Sequence, residues 1–442
     1  MAGSARARHN GNMRKTMLAN RRHVLAGLAI LAATPAARAQ SVLDATTLGV
    51  VGGTGQNQGA ALQVALDRAA ATGQVLQLPA GIIHVRGLDF PSNLVVQGVP
   101  GSTELTLQPD GNAMSIYDRG TLVLRDIGFA AGQAGLTIEA SDDITLERCR
   151  FRVSDIGVSI NDAGVTIRDC HFTELGDAAI HAMDSRGLFI SGNTITHCGN
   201  AGIRIWRSEN GADGSIVTGN RIANIEWRGG GNGQNGNGIN VFKADEVIVA
   251  SNHLADCAFT AVRLNSTHNS QVSGNTCLRS GEVAIFSEFA FSGSVIANNI
   301  IDTAATGISI TNLDTGGQLA VCSGNIVRNI TPASLVNPDT IPIGIFAEAE
   351  TAITGNTVQN VPGVAIAAGY GTFLRNVLIS ANVVSDSNIG IGVSVVDGAG
   401  AVMIADNAIS ARDYAIVGLA WSDVVEPDLI ANAGRYGNVS LR

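Results

Sequence analysis

Aromatic residues are scarce in this chain, at 4% of 442 positions. That excludes the ordinary large globular core, which Phe, Tyr and Trp dominate. Charged residues reach only 15%, against about 25% in average soluble domains, so a disordered, solvated chain is excluded as well. Lysine is nearly missing: beyond residue 39 the only one is Lys243. No later segment approaches 18 uninterrupted apolar residues, so the mature chain has no helical membrane span. The six cysteines (Cys149, Cys170, Cys198, Cys257, Cys277 and Cys322) form no CxxC pair and no metal-type spacing. They read as small buried residues. A Ser-His-Asp pattern, a phosphate-binding loop, a haem motif and zinc spacing are also lacking.

The charge that is present is unevenly placed. The first 39 residues hold seven of the 28 basic residues and none of the 37 acidic ones, which leaves the remainder with 21 bases and a net charge of −16. So acidic a body is a poor partner for nucleic acid or an anionic membrane surface. The leading segment reads as an address. Asn20-Arg21-Arg22-His23-Val24-Leu25 puts a twin arginine before a mild apolar run, Leu28 to Ala33, and Ala37-Arg38-Ala39 supplies an A-x-A cleavage signal. This order of basic, apolar and small residues predicts a signal peptide over 1–39 on the twin-arginine route, with initiation at Met1, Met13 or Met17. The mature protein is then periplasmic or secreted.

The body repeats one motif: two alternating apolar residues, a small residue, Asn, then another apolar. It reads Ile190-Ser-Gly-Asn193-Thr-Ile195, Val217-Thr-Gly-Asn220-Arg-Ile222 and Val249-Ala-Ser-Asn252-His-Leu254, and continues at Asn275, Asn299, Asn325, Asn356, Asn382 and Asn407, with a last echo at Asn432. Earlier copies place Cys149 and Cys170 where Asn stands later. Between these copies lies a second motif, Gly or Ala before an apolar residue, as in Gly202-Ile203, Gly238-Ile239, Ala261-Val262 and Ala284-Ile285. Period-two alternation means strands, and a repeat of 20 to 50 residues means a solenoid. The expected fold is all-β: a right-handed parallel β-helix of roughly a dozen coils, each stacked at about 4.8 Å on the last. Equivalent asparagines then form a ladder along the axis. Gln58 to Ala71 has helical spacing and is stopped by Gly73, which predicts a capping helix over the open first edge. The chain thus divides into a leader, 1–39, and one β-helix domain, 40–442. Within it the cap and opening coils span about 54–130, the repeat coils about 131–432, and a tail 433–442.

The helix, the Leu76-Gln-Leu-Pro-Ala-Gly81 turn and the Phe90-Pro-Ser-Asn-Leu-Val-Val-Gln-Gly98 strand resemble the start of pectate lyase-like right-handed β-helix proteins. With the twin-arginine leader and the Gly-Asn repeats, the chain resembles the twin-arginine-translocated β-helix repeat family over nearly its whole length. That resemblance implies the fold. It also points to relatives that are polysaccharide lyases, hydrolases and uronate epimerases acting on acidic glycans.

Departures from the repeat mark where chemistry would sit. The distance from ladder residue to the next Gly/Ala-apolar strand nearly doubles twice, from Asn220 to Ile239 and from Asn325 to Ile345. The inserts, Asn224 to Asn237 with Trp227, and Arg328 to Pro342, leave one corner four coils apart, about 19 Å. They predict a groove with two walls. Its floor is the outward side of the strands between them: Asn240 and Phe242, then Arg263 and Asn265, Phe286 and Glu288, Ser309 and Thr311, Phe346 and Glu348, with Lys243 at a strand end. N-terminal to the first wall stand His181, Arg204, Trp206 and Arg207. Rings for stacking on sugars beside amides, cations and carboxylates suit a glycan bearing acidic groups. A lyase or C5-epimerase needs a cation on the uronate carboxylate, here Arg263 or Lys243, and a base, here His181 or deprotonated Lys243. A hydrolase needs two carboxylates, and Glu288 and Glu348 share a column about 9.6 Å apart. The Asp-Pro-His-Asp signature of alginate epimerases is missing. Three readings stay open: an enzyme on an acidic polysaccharide, a non-catalytic glycan-binding or envelope-assembly protein on the same face, and a carrier of an unidentified cofactor.

Overall fold

The structure, a computed structural model, describes residues 41–231, 233–311 and 316–442. The expected leader lies outside them. Each coil is three short strands; in the coil of Asn193 they are Phe189–Ser191, Thr194–Cys198 and Ala201–Ala212. First strands stack into a 16-stranded sheet, and the other two stacks run together into a 25-stranded sheet where strands such as Thr276–Glu288 pass the corner unbroken. Pairing between coils is parallel and in register, as along Ile203↔Ile239↔Val262↔Ile285. The single antiparallel pair among the described residues, Ala408–Ala420 with Asp423–Glu426, lies at the C-terminal end. This is the right-handed parallel β-helix that the repeat predicts. Its sixteen rungs in one sheet exceed the eleven ladder copies, because Val42–Asp44, Val75–Gln77, Leu94–Gln97 and Gly120–Arg125 precede the repeats, Val439–Leu441 follows them, and all five pair without the motif.

Local chemistry explains both motifs. The residue before each ladder Asn turns the corner with a left-handed backbone, φ 65–68° at Gly192, Gly219, Gly274, Gly324 and Gly355. Glycine adopts this freely, whereas Ser251, Asn298 and Ala381 do so at a cost of about 1–2 kcal/mol. The ladder offsets that cost. Asn275 Oδ1 accepts from the Asn252 backbone N–H at 2.9 Å and from its side-chain amide at 3.0 Å. Its own amide donates to Val249 O and Asn299 Oδ1, both at 3.0 Å. Cys149 and Cys170 start the series: the Cys149 N–H donates to Cys170 Sγ at 3.3 Å and the Cys170 N–H to Asn193 Oδ1 at 2.9 Å. In the second motif, a Cβ on Gly202 would lie 2.4 Å from Gly238 O on the next coil, so this copy requires glycine.

The interior is a column of Ile, Val and Leu, with Phe129, Phe151 and Phe172 stacked ring on ring at 5.1 and 4.8 Å. All six cysteines are free and buried within it. The cap helix, Gly59–Thr72, buries Leu62, Ala65, Leu66 and Ala69 and ends at Gly73 in the left-handed conformation. One expectation at the far end is corrected. Asn432 is no ladder residue: it ends the short helix Leu429–Asn432, and its amide donates to Glu426. Within the 433–442 tail, Val439–Leu441 pairs with Val402–Ala405 as the last rung.

Candidate functional site

The third strand of each coil carries two outward columns. One runs His181, Arg204, Asn240, Arg263, Phe286, Ser309, Phe346; the other runs Met183, Trp206, Phe242, Asn265, Glu288, Thr311. Glu348 follows one rung beyond Thr311, since Ile310 pairs with Ala347. Strand alternation thus assembles the residues read as a floor, while Ile203, Ile239 and Val262 point inward. The floor is not an open face, however. Asn240 and Arg263 are only 3% and 6% exposed. The two inserts lean inward: Gly233 O accepts from Asn240, and Asn235 accepts from Arg204, while from the other loop Asn337 donates to Glu282 and Ser334 to Gly281 O.

At the centre is a buried charge cluster. The Arg263 guanidinium grips Glu288 through two hydrogen bonds of 2.7 Å and touches Glu282 at 3.3 Å. Its plane stacks over Phe286, 4.9 Å from the ring centre. Asn265 adds a bond to Glu288 at 2.8 Å, and Thr260 one to Glu282 at 2.9 Å. Burial pushes the Glu288 carboxyl above its ordinary value, against the opposing pull of Arg263 and Asn265. The role expected for Arg263, neutralising a ligand carboxylate, conflicts with this geometry, because its fork already holds two carboxylates of its own chain.

Beside the cluster opens a pocket of about 350 Å³. Asn240, Phe242, Arg263, Asn265 and Glu288 line it, with Trp206 on the N-terminal side and Gly233, Gln234 and Phe289 at the rim. A Cβ on Gly233 would lie 2.8 Å from the Arg263 guanidinium, so only glycine lets the loop close this tightly. Lys243, expected at a strand end, lies within the strand Asn237–Asp245 in a left-handed conformation. Its ammonium lies 5.5 Å from the Phe242 ring centre and donates to Ser208 O at 3.0 Å. Glu209, at 4.0 Å and almost fully exposed, is its ionic neighbour.

N-terminal to the pocket, Arg204 is locked by Asp177 through bonds of 2.8 and 3.0 Å and lies over the Trp206 ring. Burial alone would raise the Asp177 carboxyl, but the bonds and charge of Arg204 outweigh it and hold it below its ordinary value. His181 meets Trp206 edge-on at 5.3 Å. Burial, then the Arg204 charge, holds its imidazole below the ordinary value of 6.5. A neutral His181 suits a base, but Trp206 stands between it and the pocket, which His181 does not line. Trp227 is off this face: it packs on Phe259, and its indole N–H donates to Gly231 O at 3.0 Å. Glu288 and Glu348 share the expected column but line different cavities, and both are at least 95% buried.

Sequence reasoning missed Glu282, Gln234 and Phe289, and also the bulge that follows Trp206. There, three extra residues enter before Gly211 pairs with Ala244, and Asn210 reaches across to Ser266. A signal existed: Ile203 to Asn220 is 17 residues, against 13 from Ile239 to Asn252. Among the described residues no three His, Cys, Asp or Glu side chains are grouped to hold a metal, and no helix is long and apolar enough to cross a membrane.

Residues 112–231 match the family described as the right-handed β-helix region. The fold is shared much more widely. The N-terminal fragment of bacteriophage Phi29 gene product 12 aligns with a TM-score of 0.61 at 13% identity, over 87% of this chain and 74% of that one. A mannuronic acid-specific polysaccharide family 6 lyase from the human gut microbiota aligns at 0.50 and 14%, over 90% and 93%. The alginate lyase AlyF-OU02, solved in complex with G6, aligns at 0.50 and 14%, over 91% and 96%. No curated protein matches in sequence. At these identities the likeness establishes architecture only.

Proposed function

We propose that this chain holds an acidic polysaccharide along the third-strand face, with one uronate-type residue in the Trp206–Phe242 pocket and its carboxylate at Lys243. The observation that carries this reading is the placement of Lys243. It is the one lysine among the described residues, its ammonium lies over the ring of Phe242, which lines the pocket, and its neighbours are one backbone carbonyl at 3.0 Å and the exposed Glu209 carboxylate at 4.0 Å. Trp206 and Phe242 supply ring faces for a pyranose, and Asn240, Gln234 and Asn265 supply amides for hydroxyls. The fold's use by a mannuronic acid-specific lyase and an alginate lyase is consistent with such a ligand. The leader composition supports twin-arginine export to the compartment where such glycans occur.

Binding without turnover is favoured over lyase or epimerase chemistry by one feature. The guanidinium in the pocket is already paired with Glu288 and Glu282, and Arg204 with Asp177, and His181, the candidate base, does not line the pocket. The test is an array of acidic and neutral polysaccharides probed with the full chain, Lys243→Ala and Trp206→Ala. Wild-type binding to acidic glycans, lost in both variants with unchanged far-UV spectra, is the expected result. Absence of binding across the acidic panel would refute the reading. Unsaturated or epimerised uronate in the products would convert the binding reading into an enzymatic one.

A further inference from the structure

A second cavity, about 450 Å³, opens on the same face two to three rungs beyond the first. The columns connect them: Arg263 pairs with Phe286, Phe286 with Ser309, and Ser309 with Phe346. Phe286, Phe346 and Tyr370 give this cavity ring walls, and Ser309 and Thr311 give it hydroxyls. Every charged residue that lines it, among the described residues, is acidic: Asp339, Glu348 and Glu282, the last in contact with Arg263 at 3.3 Å. Of the cations of the face, Arg204, Arg207 and Lys243 lie toward the other end, and Arg263, between the two cavities, is held by Glu288 and Glu282. From Phe242 to Thr311 is three rungs, about 14 Å, so one ligand fills both cavities only as a chain.

We infer that the second cavity takes an uncharged sugar, so that the ligand is a mixed polysaccharide in which acidic units are separated by neutral ones, not a homopolyuronate. This rests on the reading of the first pocket as an acidic-glycan site. A homopolyuronate would set a carboxylate among the carboxylates of the second cavity. One such like-charge contact at hydrogen-bonding range weakens binding by roughly tenfold or more. An uncharged pyranose instead finds ring faces, hydroxyls and carboxylate acceptors for its own O–H groups.

The experiment holds the sugar constant and varies only its charge. Oligogalacturonate and oligomannuronate of equal length, each as the free acid and as the half methyl ester, are titrated calorimetrically into the full chain. The expected result is roughly tenfold tighter binding of at least one half ester than of its free acid. Asp339→Asn, at an exposed loop position, should narrow that gap. Free acids that bind as tightly as their half esters, or more tightly, overturn the inference and leave the acidic-glycan reading standing. Failure of all four oligosaccharides to bind overturns the inference, and beside a blank acidic array it overturns the acidic-glycan reading as well.

Discussion

Replacing Arg263 by Ala should damage the fold before it informs on function. The substitution removes the two 2.7 Å bonds to Glu288, the contact with Glu282 and the stacking on Phe286. It leaves two carboxylates, each about 95% buried, without their cation. Breaking a buried ion pair from one side costs about 3–5 kcal/mol, far more than the pair contributes against an apolar replacement of the same shape. The cost should also depend on pH in a definite direction. Glu288 already titrates above its ordinary 4.5 in the folded chain, so the native state holds a proton that the unfolded chain has released just above pH 4.5. The unfavourable contribution of this carboxylate is therefore absent below 4.5 and grows as pH rises through the folded value. Without Arg263 that window widens upward, and the variant should recover part of its loss on acidification. Urea unfolding of wild type and Arg263→Ala at several pH values measures the loss. Hydrogen exchange on the strand Thr276–Glu288 localises it, since coils of a solenoid open in sections. The triple change Arg263→Met, Glu282→Gln, Glu288→Gln should regain most of the stability. A loss below about 1 kcal/mol at pH 7, or a triple variant no better than the single one, would refute the argument.

Three further outcomes follow from the same geometry. Asn275→Ala removes one ladder side chain and leaves Asn252 and Asn299 with unmet buried bonds, so thermal unfolding should report a loss of about 3 kcal/mol or more. Asn407→Ala, at the half-buried end of the ladder, should cost about 1 kcal/mol. His181 should titrate below 6.5 by NMR; its contribution to stability is complete above 6.5 and is lost as pH falls through the folded value, and His181→Phe should abolish that dependence.

The repeat made the fold legible because a coil's period, its left-handed Gly-Asn corner and its small-residue approach are local requirements, written again at every turn. The same regularity gave the columns: period two puts Asn240, Arg263 and Phe286 on one side without any knowledge of their neighbours. Two inserts stood out as departures, and both lean over the face that carries the Arg263 cluster and the pocket beside it. What the side chains do there was not legible. Arg263 reads equally as a ligand's cation or as the partner of a carboxylate, and its partner Glu282 lies 19 residues away in sequence, on a corner that no motif marks. Trp227 looked like a wall and packs on Phe259; Glu348 looked solvated and is buried. Pairing, burial and pocket shape depend on how loops lean across rungs distant in sequence, and those contacts form only once the coils have stacked. One-dimensional pattern therefore determined the solenoid and the position of its face, while tertiary closure of the loops decided which charges on that face were already paired.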